Sequence, residues 1–379
     1  MKSIKEIIAR MEGAVRDIPG TIQEQKKRGK KIVGLFPYHT PEELVYGAGL
    51  FPISCWGGRK RIAGAASVLP PFACPVMQSI TESALDGTYA MLDAAILTAP
   101  CDTLKCLTQN FLIACPQVRA IFCLHPQNNR IPAGYDYILR EYREIGRKLE
   151  EVAGRAITPD ALQDAIALCN ENRAQMREFS RLTARKPGLL TCRERYYVMK
   201  SRRLMEKGAH TALMAELNAL MRAAPAPQFH GPRVYLAGIL AEPVEFSMIL
   251  DELGFAVVGD ELAGESRLFR TPVPAGLDPY ERLARQWQLV EGDSLVCDFQ
   301  GTRGEMIAQG AREGKADCVL YCQMKFCEVE EFDYVYIKKR LDDQKTASLN
   351  LEMDPNNFSM EQTETRLQAL AEQLAGSMA

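Results

Sequence analysis

Two kinds of hydrophobic pattern alternate along the chain. Short apolar runs of six to eight residues are separated by stretches in which apolar positions recur every three or four residues. The runs KKIVGLF (31–37), LFPISCW (50–56), AAILTA (94–99) and VRAIFCL (118–124) predict buried strands. Between them the helical period appears after Thr40, in PVMQSITESAL (75–85), in DTLKCLTQNFLI (102–113) and in the long amphipathic stretch 135–154. Thr40, Pro41 and Glu43 carry the marks of a helix start: an N-cap, a proline in the first helical position and the Glu of a capping box. From 156 to 229 the strand-like runs vanish and only helical spacing remains, ending in the proline-rich linker APAPQFHGP (224–232). Alternation then resumes, with strands in 233–240, 255–261, 317–322 and 347–353, and helices in 245–254, 280–290, 302–314, near 328–340 and from about 360. Strands alternating with helices predict an α/β fold of doubly wound, mainly parallel sheets. The expected organisation is an N-terminal α/β lobe (1–155), a helical insert (156–229) and a C-terminal α/β lobe (230–379), with no internal sequence repeat.

A chain of 379 residues suits such a division, because a single core stops growing well below that length. Its 46 Lys and Arg stand against 48 Asp and Glu, so no charge excess points to nucleic acid or to an anionic membrane. No apolar run approaches the ~20 residues of a membrane span, and the amphipathic opening MKSIKEIIARMEGAV lacks the features of a secretory signal. A cytoplasmic protein is expected. Twelve cysteines should then be thiols held for metal, catalysis or packing. Cys123, Cys297 and Cys318 fall in strand-like runs, where a thiol packs as a small hydrophobe.

Cys74, Cys101 and Cys327 differ from those. Cys74 precedes Pro75 and the helix it opens, Cys101 stands between a strand and a helix, and Cys327 follows the strand 317–321 across a short loop. All three lie near helix N-termini at the carboxyl edges of sheets, where amides and the helix dipole favour thiolates and where α/β folds bind ligands. The first two belong to one lobe and the third to the other, so a metal group held by all three would sit in the cleft. Cys106 and Cys322 remain rivals for these roles, although one lies inside its helix and the other ends a strand, and Cys55 reads as a neighbour of the cleft. The spacing contains no C-x-x-C pair and is weak by itself. His39 and His125 could face the cleft, but structural roles suit them and the other histidines better. Glu42 and Glu43 read as first-turn acids, and SRRLMEK (201–207) and EVEEFD (328–333) as solvated charged faces. There is no phosphate-binding G-x-x-x-x-G-K-[ST] loop, and YGAGLFP has two glycines of a dinucleotide fingerprint without the third.

With GLFPYHTPEELVYGAGLFPISCWGG, FACPVMQS, CDTLKCLTQN, LHPQNN, DELAGESRLFRT, ERLARQW and MKFCEVEEFDY in view, the chain resembles the 2-hydroxyacyl-CoA dehydratase family, which includes benzoyl-CoA reductase subunits. The likeness is greatest to its β-subunit branch, that of the (R)-2-hydroxyisocaproyl- and (R)-phenyllactoyl-CoA dehydratases. It implies two Rossmann-like lobes with a helical part and one oxygen-sensitive, low-potential 4Fe-4S cluster, held by Cys74, Cys101 and Cys327 with one iron left to a non-cysteine ligand. It further implies a lyase (hydro-lyase) of anaerobic amino-acid fermentation. In such enzymes a homologous α subunit carries the acyl-CoA site and makes a heterodimer, and a separate ATP-dependent activator protein injects one electron. The thioester carbonyl there becomes a ketyl radical anion that expels the α-hydroxyl, the electron returns, and water is lost to give a 2-enoyl-CoA. By that resemblance the β subunit would relay the electron, and no residue of it is marked as catalytic base. Two other readings stand beside this one. A homodimeric double-cubane reductase of the same superfamily would enlist Cys55, Cys106, Cys115 and Cys322. A non-enzymatic two-lobed binding protein would close by hinge motion.

Overall fold

In the computed structural model, residues 3–357 and 359–378 are described; Met1 and Lys2 of the amphipathic opening, Phe358 and Ala379 lie outside them. The chain starts with two helices, α1 (Ile4–Arg16) and α2 (Ile18–Lys27), and enters the first sheet at β1 (Ile32–Phe36). There follow α3 (Glu42–Gly47), β2 (Phe51–Ser54), α4 (Pro75–Leu85), β3 (Ala94–Thr98), α5 (Asp102–Ala114), β4 (Arg119–Cys123) and α6 (Pro132–Ala153). The helical stretch is α7 (Pro159–Arg185), α8 (Cys192–Ser201) and α9 (Lys207–Ala223). The second sheet is laid down as β5 (Arg233–Gly238), α10 (Val244–Glu252), β6 (Ala256–Leu262), α11 (Arg267–Arg270), α12 (Pro279–Gln288), α13 (Thr302–Glu313), β7 (Cys318–Met324), α14 (Glu328–Asp343), β8 (Ser348–Met353) and α15 (Glu361–Met378).

Both sheets are four-stranded and parallel, in the orders β2-β1-β3-β4 and β6-β5-β7-β8. The two doubly wound lobes predicted from the alternation are therefore present, and they share one topology without an internal sequence repeat. In each, the chain leaves the first strand to one side and crosses back to the other, so β1/β3 and β5/β7 are the switch pairs whose carboxyl ends open a crevice. β1, β3 and β7 are buried at every position, as strands covered on both faces must be. α1 is fixed by a capping box, Ser3 with Glu6, and its Ile7, Ile8 and Met11 pack on Met176, Phe179 and Met214 of the helical stretch. α12 packs on α6, carrying Leu283 and Trp287, with Val290 just past its end, into the core of the first sheet with Ile138 and Ile145.

Four expectations are corrected. The helix after β1 begins at Glu42 with Pro41 as N-cap and no side-chain cap, because the Glu43 carboxylate is taken by Arg173 at 2.5 Å and does not reach back to Thr40. Cys297 lies in the loop between α12 and α13, its N–H bonded to the Gln127 carbonyl at 2.9 Å, and not in a strand. SRRLMEK is not a solvated face: Arg202 and Lys207 are buried on Glu42, at 2.7 and 2.9 Å. In EVEEFD, Glu330 is fully buried, held by Arg303 at 2.9 Å and by the Tyr321 hydroxyl at 2.6 Å.

The charge buried between α8 and the second sheet makes stability depend on pH. Glu265, which pairs with Arg195 at 2.8 Å, has its carboxyl pushed up to about 7, because burial outweighs the Arg195 guanidinium and Asp260 adds to it. Between the ordinary value of 4.5 and about 7 the folded chain holds a proton that the unfolded chain has released. This group's contribution is thus complete below the lower value and is lost as pH rises through the upper one. Glu265→Gln should flatten that part of the profile, so urea midpoints of the two proteins converge at low pH and the variant gains as pH approaches 8.

Candidate functional site

Each of the three singled-out cysteines is the N-cap of a helix: Cys74 of α4, Cys101 of α5 and Cys327 of α14. Cys101 and Cys327 hold equivalent places, ending the loops that follow the third strands of their sheets, β3 and β7. Pro75 in the first position of α4 gives up an amide that would be unsatisfied there anyway. Phe326, just before Cys327, is held in the left-handed region at φ 57°, a conformation that a bulky side chain adopts only under constraint from its surroundings.

The fold brings the three together. All pack, half-buried, against one apolar cluster that joins Tyr38, Val76, Met77 and Leu104 of the first lobe to Ile239, Leu240 and Met324 of the second. Burial pushes the Cys74 thiol up to about 11, against the backbone N–H groups of Met77 and Val76, and the nearby Cys101 adds to the rise. Cys101 is raised by burial too, opposed by the amides of Leu104 and Thr103. Cys327 is raised well above the usual thiol range by burial, then by the Glu330 carboxylate and by Cys74. Each sulfur thus has helix-start amides beside it and another thiol within electrostatic reach. All three are free of disulfides.

The two lobes are tied at this edge. Asn356, after β8, accepts the Ser79 hydroxyl at 2.8 Å and donates its side-chain N–H to the Pro75 carbonyl at 3.2 Å, pinning the start of α4 to the second lobe. Gly57, at φ 83°, lies so close to α4 that a Cβ there would meet that of Ser79 at 2.3 Å.

These observations bear on a whole-chain likeness. Residues 37–374 match the family described as 2-hydroxyglutaryl-CoA dehydratase, D-component. The chain belongs to that family. It is 38% identical over 377 residues to the lactoyl-CoA dehydratase subunit beta of Anaerotignum propionicum, covering 99% of this chain and 100% of that one. It is 36% identical to the (R)-phenyllactyl-CoA dehydratase beta subunit of Clostridium sporogenes, over 93% of this chain and 94% of the relative. It is 34% identical to the (R)-2-hydroxyglutaryl-CoA dehydratase subunit beta of Acidaminococcus fermentans, over 93% and 95% of the two chains.

In this D-component chain the rival cysteines have other surroundings. Cys106 is exposed on α5, Cys55 is buried with its Sγ 3.6 Å from the Ile53 carbonyl, and Cys322 belongs to the core of the second lobe with Phe246 and Leu351. Cys115 is buried at the end of α5, where the Gln117 side chain donates to its sulfur at 3.3 Å. The carboxylates of Glu42 and Glu43 and the Cys169 sulfur lie within 4.8 Å of one another, but Arg173, Arg202 and Lys207 already neutralise those acids.

Three of the four histidines hold structural places. His210 is buried between the Asn172 amide and the Ser201 hydroxyl. His125, buried against Trp287, is held neutral, its value lowered to about 3 by burial. His39, at φ 56° after β1, lies 3.1 Å from Asp293.

Behind the thiols lies a web of charge that sequence reading did not anticipate. Arg267 is fully buried against Glu261 (2.5 Å), Asp293 (3.5 Å) and Glu330 (3.6 Å), while Arg303 bridges Glu261, Glu330 and Asp333. Asp293 also accepts the Tyr38 hydroxyl of the first lobe and is held below the carboxylate range, where the Arg267 guanidinium and the His39 and Tyr38 hydrogen bonds outweigh its burial. The web links β6, α11, α13 and α14, and Glu330 stands one turn beyond Cys327.

Proposed function

We propose that this chain is the β subunit of a (R)-2-hydroxyacyl-CoA dehydratase, a hydro-lyase subunit that works with an α subunit carrying the acyl-CoA and with a separate ATP-dependent activator. In this reading Cys74, Cys101 and Cys327 hold one 4Fe-4S cluster, which supplies one-electron storage at a potential set by burial and by hydrogen bonds to the sulfurs. The observation that carries the reading is the meeting of three N-cap thiols, from helices far apart in sequence, at the edge where the two lobes join. Thiols among amides at helix starts suit the donor set, since the amides stabilise the thiolates that iron requires. The chain's own residues then have separate tasks. The apolar cluster around Met77 and Leu104 keeps water from the sulfurs, Asn356 holds the lobes in register, and the Arg267 web fixes α14 and so Cys327. The relatives' names support the reading, being beta subunits of dehydratases of three different 2-hydroxyacyl-CoA substrates.

A double-cubane arrangement is less well supported, because Cys322 is committed to the core of the second lobe. The test is reconstitution under strict anaerobiosis with an α subunit and an activator. The expected result is ATP-dependent loss of water from a (R)-2-hydroxyacyl-CoA that requires this chain. Equal turnover without it would contradict the proposal.

A further inference from the structure

A cavity of 590 Å³ opens where the α1–α2 junction, the loop after β2 and α8 meet. Its volume falls in the range of small-molecule sites. Most of its wall is apolar or aromatic, including Val15, Ile22, Trp56, Leu92, Tyr196 and Tyr197. Its polar groups are few and cationic in balance. Lys200 is paired with Glu242 at 2.6 Å, leaving that carboxylate 4.0 Å from Arg203. The Arg203 side chain is only 6% exposed and lies over the Trp56 ring at 5.1 Å; among the described residues its Nε and Nη1, and the Nε1 of Trp56, have no hydrogen-bond partner, and because all three are sealed from the open space a ligand reaches them only as Arg203 turns into the cavity. Leaving such donors unpaired costs free energy, and a buried guanidinium is best satisfied by the planar fork of a carboxylate. Burial also lowers Arg203 and Lys200 from their usual values, so an incoming anion would relieve a strained charge.

We propose that this cavity binds a small organic carboxylate with an aromatic or branched apolar body, its carboxylate on Arg203 and its body against Trp56 and the tyrosines. The site is separate from the three N-cap cysteines, and its occupancy does not depend on the dehydratase reading.

The chain has two tryptophans, so labelling with 5-fluorotryptophan gives two ¹⁹F resonances, and Trp56→Phe assigns them. Full-length protein is titrated with 3-phenylpropanoate and, separately, with the neutral 3-phenylpropanamide. The expected result is a saturable shift of the Trp56 resonance by the carboxylate, with the amide at least about tenfold weaker, the loss of one charge-assisted contact. Arg203→Met should weaken the carboxylate by a similar factor, and Val15→Phe, which narrows the cavity without touching its charge, should weaken both ligands. The amide comparison needs no variant, so it decides the matter even if Arg203→Met fails to fold. No saturable shift at Trp56, or equal affinity for acid and amide, would overturn the proposal. Iron content is unaffected by either outcome, which separates this test from that of the cluster.

Discussion

Arg267→Met should lose about 3–5 kcal/mol of folding stability, the cost of removing one partner from a buried ion web. Glu261, Asp293 and Glu330 face this single guanidinium from three segments, and all are buried. Without it, Arg303 still answers Glu261 and Glu330, but Asp293 loses its guanidinium and keeps hydrogen bonds from Tyr38, His39 and the Leu295 N–H. Thermal unfolding should shift down by about 4–6 °C. The control is Arg147→Met, which breaks two exposed pairs on α6 with Glu144 and Glu151 and should leave the transition where it is. Equal transitions for Arg267→Met and the parent would show that the web is not a stabilising element. Because Glu330 lies one turn after Cys327, the same variant should also loosen iron from the chain.

Cys101→Ser and Cys327→Ser should each lose most of the visible absorbance of the anaerobically purified protein, whereas Cys106→Ser should keep it. The difference follows from place: Cys101 caps α5 with the Thr103 and Leu104 amides beside its sulfur, while Cys106 is exposed on the second turn. Serine keeps the shape but binds iron poorly as a hydroxyl, so the loss reports ligation and not packing. Loss of colour in Cys106→Ser with retention in Cys101→Ser would transfer the ligand role to the rival. Cys123→Ser, buried in β4, should cost packing alone.

The strands and the helices between them were legible because strand cores covered on both faces are continuous apolar runs, and β3 and α4 fall within a residue of where the pattern put them. The N-cap positions of the cysteines could also be read, since Pro75 after Cys74 marks a helix start and Cys101-Asp102 stands at a strand-to-helix junction. Buried charge was not legible. Arg202, Lys207 and Glu330 look like surface residues in sequence, and only the meeting of α3, α8 and α9, or of β7, α13 and α14, supplies their partners. One signal was present: Tyr321 sits in a fully buried strand, and its hydroxyl needed a polar partner, which Glu330 provides. Asn356 gave no such sign, because its partners Pro75 and Ser79 lie 281 and 277 residues away. The failed capping box at Thr40 has the same cause, a tertiary ion pair at Glu43 overriding a local motif.

Iron and acid-labile sulfide in the full-length chain, purified without oxygen, test the central claim most directly. About four of each per chain are expected for one cubane, falling to none when Cys74, Cys101 and Cys327 are all changed to serine. A folded parent chain without iron, or a triple variant that keeps its iron and sulfide, would contradict the account.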